Sequence, residues 1–386
     1  MLISDPIPVR SMFLRELRAG HRATQTGALG RSDAAGQHDH SVPGGVHVLS
    51  AEDMANAFER IRSRADYAPT PLAELPGLAR MLGLGGVQVK DESQRFGLGG
   101  VKALGAPYGL WTELERLDLR PDEVTAIAAT DGNHGLALAW AARELGCRAR
   151  IFVGSAVDRP RVSRIADCGA EVVVIDGTYD DAVAAAEAAA AAPGAVLISD
   201  TDYVGDIAVT RAIMAGYSVL AQELCAQTEV ARLTHVFLQC GVGGVAAGIV
   251  AGLQHGGEPV PKVVAVEPER AASMLASLEA GRPVRIEGDL HTRMIGLACG
   301  RPSAPAWEIL RETVFAAMTV EEECAVRAQA LLARGVDGDP PLQAGDTGIA
   351  GIAALCSAAE DPAARARLGL DENSRVLLIN SEGPGA

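Results

Sequence analysis

Four short segments hold most of the residues able to do chemistry, and each stands where an apolar run meets a helical pattern. The first is KDESQRFGLGGVKALGA at 90–106, a charged stretch that gives way to glycines and then to Lys102. A glycine-rich loop feeding a helix suits an anion, because backbone N–H groups and the helix dipole converge there. Most lysines are solvated surface residues, but Lys102 sits between Val101 and Ala103-Leu104-Gly105-Ala106. Desolvation of that kind lowers a lysine's pKa toward the range in which the amine becomes a nucleophile able to form a Schiff base. The second segment, TDGNHG at 130–135, places Asp131 and Asn133 where either side chain can cap the following helix. The same density of polar groups between an apolar strand and an apolar helix equally suits a cluster that faces a ligand. His134 is expected to pack or hydrogen-bond rather than to act as a base.

The third segment, CGVGGVAAG at 240–248, lacks the lysine of a P-loop and falls short of a dinucleotide GxGxxG with its downstream acid. Its amides at a helix start can still cradle a single phosphate monoester without a basic side chain. The fourth, SDTDY at 199–203, puts Asp200 and Asp202 just past another apolar run. In extended chain the two point to opposite sides, so one is expected to enter a cleft for general acid or base work and the other to be solvated.

Elements must hold these loops together, and their pattern is regular from about residue 50 onward. Short β-branched or Ala-rich runs at 87–90, 124–130, 148–154, 171–176, 195–199, 235–240, 262–268, 314–318 and 375–380 read as strands. They alternate with amphipathic stretches at 134–145, 179–191, 207–226, 320–333 and 347–358, the signature of parallel sheet with crossover helices. Nine strands are many for one open sheet. The expected fold class is therefore α/β, with two lobes of parallel-rich sheet, flanking helices, and ligands bound between the lobes at the carboxyl ends of strands. The Ala-rich run 182–192 reads as a plain surface helix, since Ala has the highest helix propensity.

At 386 residues the chain has room for two domains and a sizeable core. Aromatics are only 4% of the residues, so Ala, Val, Leu and Ile must build that core. A formal net charge of −15 argues against a nucleic-acid partner, because phosphate backbones require clustered Lys and Arg. Seven scattered cysteines give neither a zinc pattern nor a disulfide framework, and no metal site is expected. A reducing cytoplasmic setting fits this cysteine usage. No apolar run reaches bilayer-spanning length and the N-terminus lacks a signal-peptide core, so no membrane partner is expected. Residues 1–45, with scattered arginines and an HDH tract at 38–40, read as a flexible extension.

An apolar-flanked lysine, an Asn-bearing loop after the next strand and a later GxGG loop occur here in an order that resembles the fold type II pyridoxal-phosphate enzymes, whose architecture is that of the tryptophan synthase β chain. Within them the chain is similar to the diaminopropionate ammonia-lyases, through YAPTPL (67–72), KDESQRFGLGGVKALG (90–105), TDGNHG (130–135), SDT (199–201), MAGY (214–217), GLACG (296–300) and SEG (381–383). The similarity runs from about residue 50 to the C-terminus, and the motifs are specific collectively rather than singly. The resemblance implies that Lys102 is the Schiff-base lysine of pyridoxal 5′-phosphate. It further implies that Gly241, Val242, Gly243, Gly244 and Val245 hold the cofactor phosphate and that Asn133 bonds its 3′-oxygen. Asp131 and Asp200 then handle the substrate, the first as a base toward the D-isomer and the second around the amino groups. The chain departs from the pattern at Gly99 (usually Asn), Asp346 (usually Glu) and Gly385, which stands where a Thr usually faces the pyridine nitrogen.

The function expected from the resemblance is α,β-elimination on 2,3-diaminopropionate to pyruvate and ammonia, by a homodimer. Two other readings stand beside it: elimination or replacement on another small amino acid of the serine, threonine, cysteine or hydroxyaspartate type, and a cofactor-binding protein without turnover. The expected division of the chain is an extension over 1–45, a large cofactor-binding domain from 46–104 and 206–386, and a small α/β domain from 105–205.

Overall fold

The computed structural model describes residues 12–14, 48–177, 179–201, 207–257 and 259–385. The expectation for residues 1–45 thus lies almost wholly outside the described residues, as does the one for Asp202.

Among the described residues eleven strands form two sheets. In chain order they are β1 (Met12–Leu14), β2 (Leu72–Glu74), β3 (Gly86–Asp91), β4 (Thr125–Ala129), β5 (Arg148–Gly154), β6 (Glu171–Ile175), β7 (Ala195–Leu197), β8 (His235–Gln239), β9 (Lys262–Pro268), β10 (Val314–Val320) and β11 (Arg375–Asn380). The larger sheet runs β1-β10-β9-β8-β11-β3-β2 and the smaller β6-β5-β4-β7. All neighbours are parallel except the two edge pairs, β1 with β10 and β2 with β3, which are antiparallel. Each expected strand is present, and the split into two lobes of parallel sheet holds. The two edge strands are additional. Each has three residues, too few for an alternating pattern to show in sequence.

Strand β8 is buried along its whole length, as parallel strands covered on both faces must be. One face of the large sheet is covered by α2 (Pro76–Leu82), α11 (Glu322–Arg334) and α12 (Ala350–Glu360), through residues such as Leu78, Leu331 and Ile352. The other face packs against α7 (Ala208–Gln227), α8 (Gly244–His255), α9 (Ser273–Ala280) and α10 (Ala304–Thr313). The same apolar cluster continues through α1 (Ala51–Arg62), α3 (Lys102–Arg116), α4 (Asn133–Leu145) and α5 (Arg159–Asp167) onto the small sheet. One of the apolar clusters therefore joins both sheets and fixes the loops between them. Helix α6 (Tyr179–Ala190) lies at the surface as expected, with Ala184, Glu187 and Ala188 exposed and Ala182 and Ala186 buried against Ile127 and Phe152. The last helix, α13 (Pro362–Leu368), starts at the Asp361 cap and leads to β11.

Candidate active site

The loops following β4, β7, β8 and β11 open onto one cleft between the sheets, together with the start of α3. Lys102 is the first residue of α3, and its Nζ lies 2.7 Å from Asp200 Oδ2, just past β7. The pair is mostly enclosed, with side chains 23% and 13% exposed. Burial pushes the Lys102 amine down, but the Asp200 carboxylate outweighs it and holds the amine well above the ordinary lysine value. The expected lowering of this pKa is thereby corrected. An apolar sequence setting did not reveal that a carboxylate from the other lobe would meet the amine. Burial raises Asp200, yet Lys102 and His134 overcome it and hold the carboxyl far below the usual range. In this structure the two form an ammonium–carboxylate pair.

His134 lies beside them. Its Nε2 is 2.7 Å from the Ile198 carbonyl, so that nitrogen carries the proton, while Nδ1 lies 3.8 Å from Asp200 Oδ2. Burial keeps the ring neutral. His134 is bonded and buried as expected, and it also lines the cleft.

Asp131 and Asn133 both line the cleft. Asn133 does not use its side chain to cap α4; Nδ2 donates to Glu382 Oε2 across the cleft at 2.5 Å. The other oxygen of Glu382 accepts from the Thr347 backbone N–H at 2.7 Å, and burial raises its pKa. Glu382 is a site residue that residue-level reasoning missed. The available signal was a Ser-Glu pair directly after a parallel strand, where ligands bind in open α/β sheets.

Gly241 to Val245 form the wall leading into α8. A Cβ on Gly241 would stand 2.9 Å from the Gly296 carbonyl oxygen and 3.0 Å from Cys299 Sγ, so this loop admits no side chain there. The Val242 carbonyl accepts from Ser303 N at 2.9 Å, which pins the loop and leaves the first-turn amides of α8 at the cleft.

Residues 64–382 match the family described as pyridoxal-phosphate dependent enzyme. The chain belongs to that family. It is 34% identical over 361 residues to diaminopropionate ammonia-lyase of Escherichia coli K12, covering 88% of this chain and 91% of that one. It is 34% identical to the diaminopropionate ammonia-lyase of Salmonella typhimurium LT2, covering 82% and 86%. The crystal structure of the E. coli lyase holding an aminoacrylate–PLP azomethine reaction intermediate superposes with a TM-score of 0.81 at 32% identity, over 88% of this chain and 90% of that one. The fold is accordingly that of the fold type II pyridoxal-phosphate enzymes, and the cofactor is pyridoxal 5′-phosphate.

In this pyridoxal-phosphate enzyme the charged stretch before Lys102 turns inward. Lys90 Nζ lies 2.6 Å from Glu223 Oε2 and also donates to the Thr70 carbonyl and Gln227. Arg95 donates to Glu92 at 2.8 Å and to both oxygens of Glu223 at 2.8 and 2.9 Å. Glu223 comes from α7, whose helical pattern was legible but in which nothing singled out this residue. Among the described residues no cluster of His, Cys, Asp and Glu is placed to hold a metal, and no helix is long and apolar enough to cross a membrane.

Proposed function

We propose that the chain is a pyridoxal-phosphate-dependent ammonia-lyase that eliminates ammonia from 2,3-diaminopropionate and yields pyruvate. The observation that carries this is the Lys102–Asp200 pair in one cleft with Asp131, opposite a glycine loop that opens a helix. These residues fit the cofactor: backbone amides at 241–245 for its phosphate, the Lys102 amine for its aldehyde, and Asn133 for a ring oxygen. Bound there, pyridoxal phosphate supplies an electron sink that acidifies the α-proton of an amino acid.

The chain's own groups supply the rest. Once its own proton has passed to Asp200, the Lys102 amine takes the α-proton, with Asp131 serving for the D-isomer. Asp200 takes the proton of its ammonium partner across 2.7 Å and delivers it to the departing β-amine, which leaves with the electrons of its bond to carbon. Asp131 and Asp200 also offer the negative field that a second, cationic nitrogen seeks. Glu382 accepts from the Asn133 amide nitrogen and so fixes the orientation of that amide at the cleft.

Residues 46–104 and 206–386 form the cofactor-binding unit in this reading and 105–205 the smaller one, with the first boundary falling inside α3. A cytoplasmic homodimer completes the proposal, supported by seven free cysteines and the prevalence of two-fold homo-oligomers. The test is an absorbance spectrum of the purified protein with pyridoxal phosphate. A band near roughly 410–420 nm, lost in Lys102→Ala, is the expected result. A spectrum of free cofactor alone contradicts the proposal.

A further inference from the structure

One polar group beside the site has no task in the reaction above. Tyr217, on α7, is fully buried, and its hydroxyl has no hydrogen-bond partner among the described residues. Buried hydroxyls are nearly always paired, because leaving one unpaired costs stability. This one is held beside the reactive amine: Lys102 Nζ lies 5.6 Å from the centre of the Tyr217 ring. The packing that brings it there is specific. Gly105 follows Lys102 by one turn of α3, and a Cβ on Gly105 would stand 2.5 Å from the ring and 2.8 Å from the hydroxyl oxygen. A Cβ on Gly248 of α8 would stand 2.8 Å from the Tyr217 Cβ. The ring is therefore wedged between the helix that starts at Lys102 and the helix that follows the glycine loop.

We propose that Tyr217 is a positioning residue for Lys102, its hydroxyl being the second hydrogen-bond site that the Lys102 nitrogen occupies when it turns away from Asp200. This rests on the reading of Lys102 as the cofactor-carrying lysine. In the pair as it stands Asp200 takes the ammonium; once the nitrogen carries the cofactor it leaves that pair, and the Tyr217 hydroxyl is the polar group beside it. Once Asp200 engages the substrate's departing amine, the Lys102 nitrogen needs another partner in an enclosed space, and Tyr217 is the polar group packed against its helix. The groups that act on Lys102 from the surrounding elements are Asp200 after β7, Tyr217 on α7, Cys299 in the 296–300 segment and His134 on α4. Of these, Asp200 is committed to the leaving group, and neutral His134 donates to the Ile198 carbonyl. Burial pushes the Tyr217 phenol up to about 12, so it meets Lys102 as a neutral hydroxyl and favours the protonated nitrogen by accepting from it.

Tyr217→Phe isolates the hydroxyl, because the ring and its packing remain. The experiment compares the holoenzyme with Y217F by titrating the absorbance of the bound cofactor between about pH 5 and pH 10. Melting temperature is recorded in parallel, and borohydride reduction followed by peptide mass analysis locates the attached cofactor. Loss of one hydrogen bond to a charged nitrogen is expected to lower the pH midpoint by about one unit. The melting temperature should be unchanged or higher, since a buried unpaired hydroxyl has been removed. A merely structural tyrosine would lower the melting temperature and leave the midpoint where it is. Coincident midpoints for the two proteins overturn the proposal. Cofactor mass on a residue other than Lys102 in the unsubstituted protein overturns the reading beneath it and the proposal together.

Discussion

Two lysines of this chain face carboxylates at almost the same distance, Lys90 to Glu223 at 2.6 Å and Lys102 to Asp200 at 2.7 Å, yet their surroundings differ. The Lys90 ammonium has all three of its hydrogens engaged, by Glu223, Gln227 and the Thr70 carbonyl. Glu223 is shared with Arg95, and Arg95 with Glu92. All four side chains of that network are buried, none more than 1% exposed. Lys102 makes one strong bond, to Asp200; beside the pair lie the unpaired hydroxyl of Tyr217 and Nδ1 of His134, and the cleft is open on its remaining side. The electrostatics follow the geometry. Burial holds the Lys90 amine below its ordinary value despite its partners, whereas Asp200 raises Lys102 above it. A saturated pair holds elements together. An unsaturated pair keeps hydrogen-bonding capacity for a ligand.

The largest expected effect comes from removing the unsaturated lysine. Lys102→Ala should lower kcat/KM by on the order of 10⁴-fold, about 5 kcal/mol of transition-state stabilisation, with little loss of thermal stability. Steady-state kinetics and a melting curve on the same preparation check both halves. Glu223→Ala should do the reverse. It strands Lys90 and Arg95 as buried charges at a cost of about 3–5 kcal/mol, read by urea titration, and such protein as remains folded should keep its cofactor band. If Glu223→Ala proved as stable as the parent, the saturated network would lose its structural role. Asp200→Asn should slow kcat by on the order of 10²-fold, and it should also lower the Lys102 pKa, since the carboxylate is what raises it.

An effect on stability alone concerns a carboxylate with neither role. Glu267 at the end of β9 caps α9 through the N–H groups of Met274 and Leu275, and burial raises its pKa from 4.5 to about 8. Between those two values the unfolded chain has released the proton and the folded chain has kept it. This group therefore makes the fold less stable as pH rises from 4.5 to about 8, and the loss levels off above that. Melting temperature against pH should show a decline over that window that flattens in Glu267→Gln.

Much of the fold was legible because parallel strands and amphipathic helices write their period into the chain, as in HVFLQ of β8. The edge strands β1 and β2 were not, since three residues carry no period. In the site, Lys102, Asp131, Asn133, Asp200 and the 241–245 loop stood out by composition, and the fold brings all of them to one cleft. What sequence could not supply was pairing across distance. Glu382 and Asn133 are 249 positions apart, and Lys102 and Asp200 are 98 apart. The direction of the Lys102 shift depends on that second pairing, so flanking apolar residues pointed the wrong way. Tyr217 was visible only within the MAGY motif, because its importance lies in the space Gly105 leaves for it.

The central claim is tested most directly by product stoichiometry. The purified protein with pyridoxal phosphate is given D- or L-2,3-diaminopropionate, and pyruvate and ammonia are assayed together, with serine run in parallel. Elimination of the β-amine followed by hydrolysis of the α-amine predicts two ammonia molecules for each pyruvate, formed faster than from serine. Pyruvate from serine alone, at one ammonia each, would contradict the diamine assignment, and no pyruvate from any of them would contradict the lyase itself.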